Sequence, residues 1–354
     1  MLQLSLIKDV GNITIQNLLE KVGADGLENL HQFILSDFLK LGLSQARAKQ
    51  LVAGLADDTN LKKELALITK YQVSWITLAD EGYPALLRHI QGSPPVLYWK
   101  GSLAALQDRA LAIVGSRQAN QYGQSVINEI VPQMVQAGYT IVSGGALGID
   151  AMAHQAALKA GGTTIVVCGT GLKYVYPAQH ATMFAEIIAN GGAVVSSFAM
   201  DTVGMPNNFP ARNRIISGLS QGCLVVQAAA QSGAKITAQF ALEQGREVFV
   251  IPGLFGDPLS AGCHNLAQQG AKLVHNIEDI LSELVPSYRP LVQNINKTTS
   301  NSADLLVNLC SSPISFDALL ATVELESNAL QERLFELQLD GILKQNFAGL
   351  WEKC

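Results

Sequence analysis

Apolar residues in the middle of the chain fall into two alternating patterns. Short continuous apolar runs, rich in valine and isoleucine, recur between residues 110 and 251, and most end at a glycine or a small polar residue. These runs are Leu111–Val114, Tyr139–Val142, Thr164–Cys168, Ala193–Val195, Cys223–Val226 and Glu247–Ile251. Stretches with apolar residues at helical spacing separate them, for example Ile149–Ala160, Ala178–Ala189 and Ala234–Gln244. Buried strands that alternate with helices predict an α/β core whose parallel sheet is covered on both faces.

The two ends of the chain show different patterns. Residues 1–100 are helical in pattern. This favours a helical domain over residues 1–70, either of SAM or helix-hairpin-helix type or a small packing domain without a ligand. Residues 71–284 then form the core, and the polar, proline-containing residues 285–303 form a linker. Three helical segments and a hairpin pattern predict a winged helix over residues 304–354.

Length and composition exclude several classes of protein. A chain of 354 residues has room for about two or three domains. Hydrophobic side chains make up 48% of it, which excludes disorder along the whole chain. No uninterrupted apolar run approaches the roughly 18 residues of a membrane-spanning helix, and the amino terminus lacks the features of a signal peptide. The five cysteines are widely spaced without a CxxC pair, which argues against a zinc site or disulfide framework and favours the reducing cytoplasm.

The formal net charge of −5 argues against binding to nucleic acid, but the charges are unevenly distributed. Only 13 of the residues from 110 to 251 are charged, and seven of these are basic. Five of the basic side chains lie in or beside the predicted strand-end loops: Arg117, Lys173, Arg212, Arg214 and Lys235. A weakly charged scaffold with cations at one edge predicts a positive potential there. Residues 285–354, with 5 basic and 8 acidic side chains, are predicted to contact protein rather than a DNA groove.

Glycine-rich loops follow several of the predicted strands. In a parallel sheet, ligands bind beyond the carboxyl ends of the strands, where these loops meet. Glycine lets the backbone approach a ligand closely, and helix N-termini attract anions, so the loops together predict an anion cradle. They comprise Gly115–Arg117, Ser143–Asp150, Gly169–Gly171, Asn208–Arg214 and Ser232–Thr237. The motifs GxxxxGK[ST] and GxGxxG are absent, which argues against a P-loop and a dinucleotide site.

Few residues form a catalytic pattern. Asp150 and His154 are four residues apart and share one face of a predicted helix. They are interpreted either as a functional dyad or, preferably, as an aspartate bonded to helix N-terminal amides beside a partly buried histidine. No HExxH motif and no converging carboxylates occur, so the sequence predicts no catalytic residue and no metal site.

The segment Arg212–Arg214 follows Phe209 at the start of a predicted helix. Its two arginines could simply form ion pairs at the protein surface. We favour a second interpretation, in which the arginines bind phosphates, Asn213 binds the edge of a base, and the phenylalanine ring stacks on a base.

The order of these motifs resembles the DNA-processing protein A family, also called DprA or Smf. The first matching segments are GSR and then YG from residue 115, SGG and then GID and AH from residue 143, and GTG and then YP from residue 169. The later ones are FPARNRIISGLS from residue 209, SG and then ITA, ALE and GREV from residue 232, and IPG from residue 251. The resemblance is densest over residues 110–270 and extends loosely over nearly the whole chain.

The resemblance implies an extended Rossmann-like core between a helical N-terminal domain and a C-terminal winged helix. It implies a non-enzymatic, cytoplasmic protein that binds and protects single-stranded DNA, dimerises through its core and loads the RecA recombinase during natural transformation. Single-strand-binding protein is a further implied partner, whereas no membrane partner and no cofactor are expected. The DNA contacts that it implies, residue by residue, are Gly115, Ser116, Arg117, Gly144, Gly145, Phe209, Arg212, Asn213, Arg214 and Lys235.

This chain departs from the family pattern at four positions, one of which is Ala199 in place of a proline. Leu147, Ser197 and Gln227 stand where the family usually has an arginine and two glutamates, which suggests a coupled change in ion pairs. Because a leucine cannot bind a phosphate, we expect the DNA contacts to differ from those of the family in detail.

A different class of protein with a similar core provides the alternative interpretation. Phosphoribohydrolases of the lysine decarboxylase-like type carry PGGxGTxxE, which joins a phosphate loop to a catalytic glutamate. The comparable segment here, residues 232–239, has no such glutamate, so nucleotide cleavage is the less favoured function.

Overall fold

The structure, a computed structural model, describes residues 1–106, 109–285, 302–323, 327–346 and 349–353. Contacts between Cα atoms divide the chain into two units, Met1–Tyr288 and Arg289–Cys354. Within the described ranges, no helix has the length and apolar character needed to cross a membrane. Most of the predicted linker lies outside the described residues, and the predicted domain boundaries stay predictions.

The first unit begins with a group of helices that have their own hydrophobic core. They are α1 (Leu2–Ser5), α2 (Asn12–Glu28), α3 (Leu35–Lys40), α4 (Gln45–Ala56) and α5 (Thr59–Lys70). Fully buried side chains such as Ile15, Phe38 and Leu51 fill the space between α1, α2, α3 and α4, whereas Ile68 of α5 packs in a cluster that includes strands of the sheet. The last helix also contacts the sheet region, because buried Glu64 accepts a hydrogen bond of 2.8 Å from the amide of Met200.

A mostly parallel sheet follows, and among the described residues it has nine strands in the order β1-β2-β6-β5-β4-β3-β7-β8-β9. The strands are β1 (Ser74–Thr77), β2 (Val96–Gly101), β3 (Ala110–Val114), β4 (Thr140–Ser143), β5 (Thr164–Val167), β6 (Ala193–Ser196), β7 (Gly222–Val225), β8 (Glu247–Val250) and β9 (Lys272–Leu273). Within the described part of this sheet, only the β1–β2 and β2–β6 pairs are antiparallel. The α/β fold class is confirmed, while the helical pattern predicted for residues 1–100 is wrong where β1 and β2 form.

Helices cover both faces of the sheet. They are α6 (Ala85–Arg88), α7 (Gln121–Gln136), α8 (Ile149–Lys159), α9 (Ala181–Ala189), α10 (Asn208–Gly218), α11 (Gly233–Glu243), α12 (Ala261–Gln268) and α13 (Glu278–Leu284). Alternate residues of β3 point to opposite faces. Ala112 and Val114 pack in the cluster that includes α10 and α11, whereas Leu111 and Ile113 pack in the cluster that includes α7 and α8.

The strand order reverses between β3 and β7. The chain runs outward from β3 through β4 and β5 to β6, then crosses by way of α10 to place β7 on the other side of β3. The loops at the carboxyl ends of β3 and β7 therefore leave in opposite directions. Such a reversal leaves a crevice at that edge of the sheet, where open α/β sheets bind their ligands.

The second unit contains three helices and a hairpin. These are α14 (Ser302–Leu309), α15 (Phe316–Thr322), α16 (Ser327–Leu339) and the antiparallel strands β10 (Leu343–Gln345) and β11 (Trp351–Lys353). Leu306, Leu319, Leu334 and Trp351 lie in its buried core. The order of elements is the predicted one, and the assignment as a winged helix stays a prediction.

Candidate functional site

The crevice at the strand reversal has a volume of about 740 Å³. It is lined by the loops that follow β3 and β7, by the first two turns of α10, and by the first turn of α11. Ala146, from the segment after β4, and Tyr176, from the segment after β5, complete the lining. Residues that follow five strands, β3 to β7, therefore meet in one place, as predicted for the carboxyl edge of the sheet. Among the predicted DNA contacts, Gly115, Ser116, Arg117, Phe209, Arg212 and Asn213 line this crevice.

An exposed arginine lies beside two aromatic rings in the crevice. The guanidinium carbon of Arg117 lies 5.8 Å from the centre of the Phe209 ring. Tyr176 lies in the segment that follows β5. The centre of its ring is 5.4 Å from that of the Phe209 ring, and the two ring planes are tilted by 41°. We call Phe209 and Tyr176 the aromatic platform. Arg117 is exposed and makes no hydrogen bond or ion pair with any residue that the structure describes.

Arg212 has a different position from the one that its motif suggested. Its side chain is only 5% exposed and donates hydrogen bonds to the carbonyl oxygens of Gly144, at 2.5 Å, and Val167. Its Nε donates to the side-chain oxygen of Asn213 at 3.1 Å. Arg212 thus joins the carboxyl ends of β4 and β5, and most of its donors are occupied inside the protein.

Asp150 faces Arg212 across Gly144. A Cβ atom on Gly144 would lie 2.7 Å from Nη2 of Arg212 and 2.7 Å from Oδ2 of Asp150, so only glycine fits between them. Oδ2 of Asp150 also accepts the amides of Gly144 and Ala146, at 3.2 and 3.3 Å. Burial raises the pKa of Asp150 and lowers that of Arg212, and the opposite charge of each partner offsets part of this shift.

His154 has partners separate from those of Asp150. Its Nδ1 lies 2.7 Å from the hydroxyl of Thr164, which donates its own hydrogen to the carbonyl oxygen of Ile141. The histidine therefore donates from Nδ1, and its buried Nε2 has no partner among the described residues. Burial lowers the pKa of His154 to about 3, so its ring is neutral at pH 7.

Replacing His154 with glutamine should reduce the acid sensitivity of the fold. An unfolded histidine takes up a proton near pH 6.5, whereas the folded one stays neutral down to about pH 3. Its contribution to stability is thus complete above about pH 6.5 and is lost as the pH falls toward 3. Urea denaturation measured across this range should give a shallower loss of unfolding free energy in the variant, and equal slopes would contradict the buried neutral histidine.

The backbone amides of two predicted contacts are already bonded within the protein. The amide of Ser116 donates to the carbonyl oxygen of Gln227 at 2.7 Å, and that of Gly144 donates to Asp150. Gly115 is close-packed, because a Cβ atom there would lie 2.5 Å from Cγ1 of Ile149. Gly145 has a φ of +66°, and its carbonyl oxygen lies 2.9 Å from Nδ1 of His180. These glycines shape the loops, and the two amides are not free to bind a phosphate.

Three of the five basic side chains predicted at this edge bind other parts of the protein. Arg214 donates to the carbonyl oxygen of Gln91 and lies 5.6 Å from the centre of the Phe240 ring. Lys235 donates to the carbonyl oxygen of Ala230 at 3.1 Å, and Lys173 pairs with Asp201 at 2.5 Å. None of the three lines the crevice. Among the described residues, Arg117 is therefore the one exposed cation in it.

The sequence predicts no binding role for Tyr176, although the residue belongs to the YP part of a matching segment, and it does not predict the pair formed by Gln227 and Asn120. Gln227 is buried, accepts the Asn120 amide at 3.2 Å and donates to its side-chain oxygen at 2.9 Å. The pair fixes the loop after β3 at the start of α7. Leu147, by contrast, is 42% exposed, and the suggested coupling between its change and that of Gln227 stays a prediction. The signal for Tyr176 is thus its place in the YP pair, five residues after the Gly169–Gly171 loop.

Known proteins resemble this chain in sequence. The family model described as DNA recombination-mediator protein A matches residues 74–285. The DNA processing protein DprA of Bacillus subtilis is 41% identical over 225 residues, which cover 63% of this chain and 75% of that protein. Protein Smf of Escherichia coli is 48% identical over 205 residues, covering 58% of this chain and 55% of that protein. This chain thus spans only about half the length of the second relative.

Two solved structures resemble the fold. DNA processing protein A of Streptococcus pneumoniae has a TM-score of 0.64 and 34% identity, over 77% of this chain and 98% of that one. The second structure is DNA processing protein A of Helicobacter pylori, which was solved to explain its single-stranded DNA binding mode. It has a TM-score of 0.55 and 29% identity, over 62% of this chain and 98% of that one. With a family model that matches well over half of its residues, the chain belongs to the DNA recombination-mediator protein A family.

Proposed function

We propose that the chain binds single-stranded DNA in the crevice and acts in the cytoplasm as a mediator of recombination, without a catalytic step of its own. The observation that carries this proposal is the unpaired guanidinium of Arg117 beside the aromatic platform. Arginine binds phosphate oxygens with its fork of donors. Aromatic rings stack on unpaired bases of any sequence, so binding in this crevice is largely independent of sequence.

Membership of the family supports the proposed role as a mediator of recombination. Its model is described as a recombination mediator, and a relative of the same fold binds single-stranded DNA. We propose that this chain, as a homodimer, protects incoming single strands during natural transformation and loads the RecA recombinase onto them. Strands coated with single-strand-binding protein are the substrate on which such a mediator is needed.

Arg212, Asn213 and the glycines belong to this function through the shape that they give the crevice. Arg212 holds the ends of β4 and β5 together, and its Nε orients the side chain of Asn213. The amide of Asn213 also donates to the carbonyl oxygen of Gly233, which connects α10 with the start of α11. The DNA contacts proposed for the crevice itself are thus Arg117, Phe209 and Asn213, with Tyr176 as an addition.

Replacing Phe209 with alanine should weaken binding of a fluorescent oligothymidylate by about tenfold, since one stacked base contributes about 1–3 kcal/mol. The slope of log affinity against log salt concentration should stay unchanged, because no phosphate contact is removed. Phe209→Trp should retain binding, and a duplex of equal length should bind more weakly because its bases are already stacked.

The mediator role has its own readout in the same samples. The wild-type chain should accelerate assembly of the RecA recombinase on oligothymidylate coated with single-strand-binding protein, and Phe209→Ala should lose most of this acceleration. A chain that binds single strands yet leaves recombinase assembly unchanged would refute the mediator role. Equal affinity for single strands and duplex would refute the stacking mode.

A further inference from the structure

The loop that follows β8, residues 251–260, presents two large apolar side chains to solvent. Leu254 is 80% exposed and Phe255 is fully exposed. Gly256, with a φ of +80°, turns the chain directly after them. We call this segment the β8 loop. Exposed large apolar side chains at one place indicate a surface that contacts another molecule.

Hydrogen bonds fix the base of the β8 loop on both sides. The hydroxyl of Tyr122 donates to the carbonyl oxygen of Pro252 at 2.6 Å, and Nε2 of His264 lies 3.1 Å from that of Gly253. The carboxylate of Asp257 accepts from the amide of Leu259 at 3.0 Å and from the hydroxyl of Ser260 at 2.8 Å. The folded base therefore holds the tip away from the core.

The β8 loop lies at the same edge of the sheet as the crevice. β8 pairs with β7 in parallel, and β7 pairs with β3. Because neighbouring strands are about 4.8 Å apart, the carboxyl ends of β3 and β8 are only about 10 Å apart. Tyr122 connects the two places, since it belongs to the first turn of α7, directly after the loop that carries Arg117.

We propose that Phe255 stacks on a base of the single strand where it leaves the crevice beyond β7, which makes the β8 loop a second contact for the DNA. This inference rests on the proposed function. The tip offers an aromatic face and no cation, and the oxygens of Asp257 are engaged within the loop. It therefore supplies stacking and not phosphate binding. Tyr122, 44% exposed, extends the aromatic surface between the crevice and the tip.

The test is a length series of fluorescent oligothymidylates, from about 4 to about 16 nucleotides, titrated with the full chain. Phe255→Ala should bind the shortest strands as wild type does and the longest about tenfold more weakly. Phe255→Trp should restore the affinity, and its added fluorescence should be quenched by the long strands only. Phe335→Ala, which removes an exposed phenylalanine from the second unit, is the matched control and should match wild type at every length.

The outcomes separate this inference from the function on which it rests. Wild-type binding with no effect of Phe255→Ala at any length overturns the second contact and leaves the crevice as the binding site. A change in self-association of Phe255→Ala without a change in DNA affinity assigns the tip to a protein contact, which also overturns it. Absence of wild-type binding at low salt removes the proposed function and the inference together.

Discussion

Replacing Arg212 with alanine is expected to lower the free energy of unfolding by about 3–5 kcal/mol. The substitution leaves the charge of Asp150 buried without its partner and removes the donors that bind the carbonyl oxygens of Gly144 and Val167. Urea denaturation followed by circular dichroism measures this loss directly. A loss of this size is a large share of the roughly 5–15 kcal/mol that stabilises an ordinary domain.

Two further variants identify the cause of that loss. Arg212→Met combined with Asp150→Asn should cost less than the sum of the two single changes, because the neutral pair leaves no buried charge. Arg212→Lys keeps the charge and loses the planar fork, so its stability should lie between wild type and alanine. If Arg212→Ala were as stable as wild type and lost only DNA binding, the arginine would be a phosphate contact and its role as a clamp would be wrong.

The fold of the core could be predicted because its strands are buried on both faces. The run Leu111–Val114 became β3, which starts one residue earlier, and Ala193–Val195 became β6, which ends one residue later. Continuous apolar runs of this kind carry a strong signal in parallel sheets. The antiparallel strands β1 and β2 do not follow from the helical pattern predicted for residues 1–100, because short strands next to helical segments carry a weak signal of their own.

The site was predicted less completely, because a motif does not show which way its side chains point. Arg212 and Arg214 are two residues apart on α10 and so lie on different sides of the helix. The first is buried against the ends of β4 and β5, and the second reaches Gln91. Buried arginines are rare, so an arginine in a loop motif is usually expected to be exposed. Only the fold brings the carbonyl oxygens of Gly144 and Val167 to this side chain.

Charge counting also has a physical limit here. Five cations follow the strands in sequence, yet Lys173 is neutralised by Asp201 and Arg212 faces Asp150. The potential in the crevice then depends mainly on Arg117, whose charge has no partner among the described residues. A formal net charge of −5 is compatible with DNA binding, because Arg117 would act on a bound phosphate at short range whereas distant charges are screened by salt.

Replacing Arg117 with glutamate should weaken binding of oligothymidylate by about 100-fold at low salt. A charge-assisted hydrogen bond contributes about 1.5–3 kcal/mol, and the new carboxylate adds repulsion of the phosphates. The slope of log affinity against log salt concentration should also become shallower by about one phosphate contact. Fluorescence anisotropy over a series of salt concentrations measures both quantities, and the stability of the variant should be near that of wild type because the side chain is exposed.

The most direct test is a titration of oligothymidylate, followed by fluorescence anisotropy, with wild type, Arg117→Glu and Lys159→Glu in parallel. Lys159 is exposed in the last turn of α8, at the opposite edge of the sheet, and its replacement changes the net charge by the same amount. Binding in the crevice predicts that Arg117→Glu loses affinity by about 100-fold while Lys159→Glu stays within about twofold of wild type. Equal losses in the two variants, or wild-type affinity in Arg117→Glu, would contradict a DNA site in the crevice.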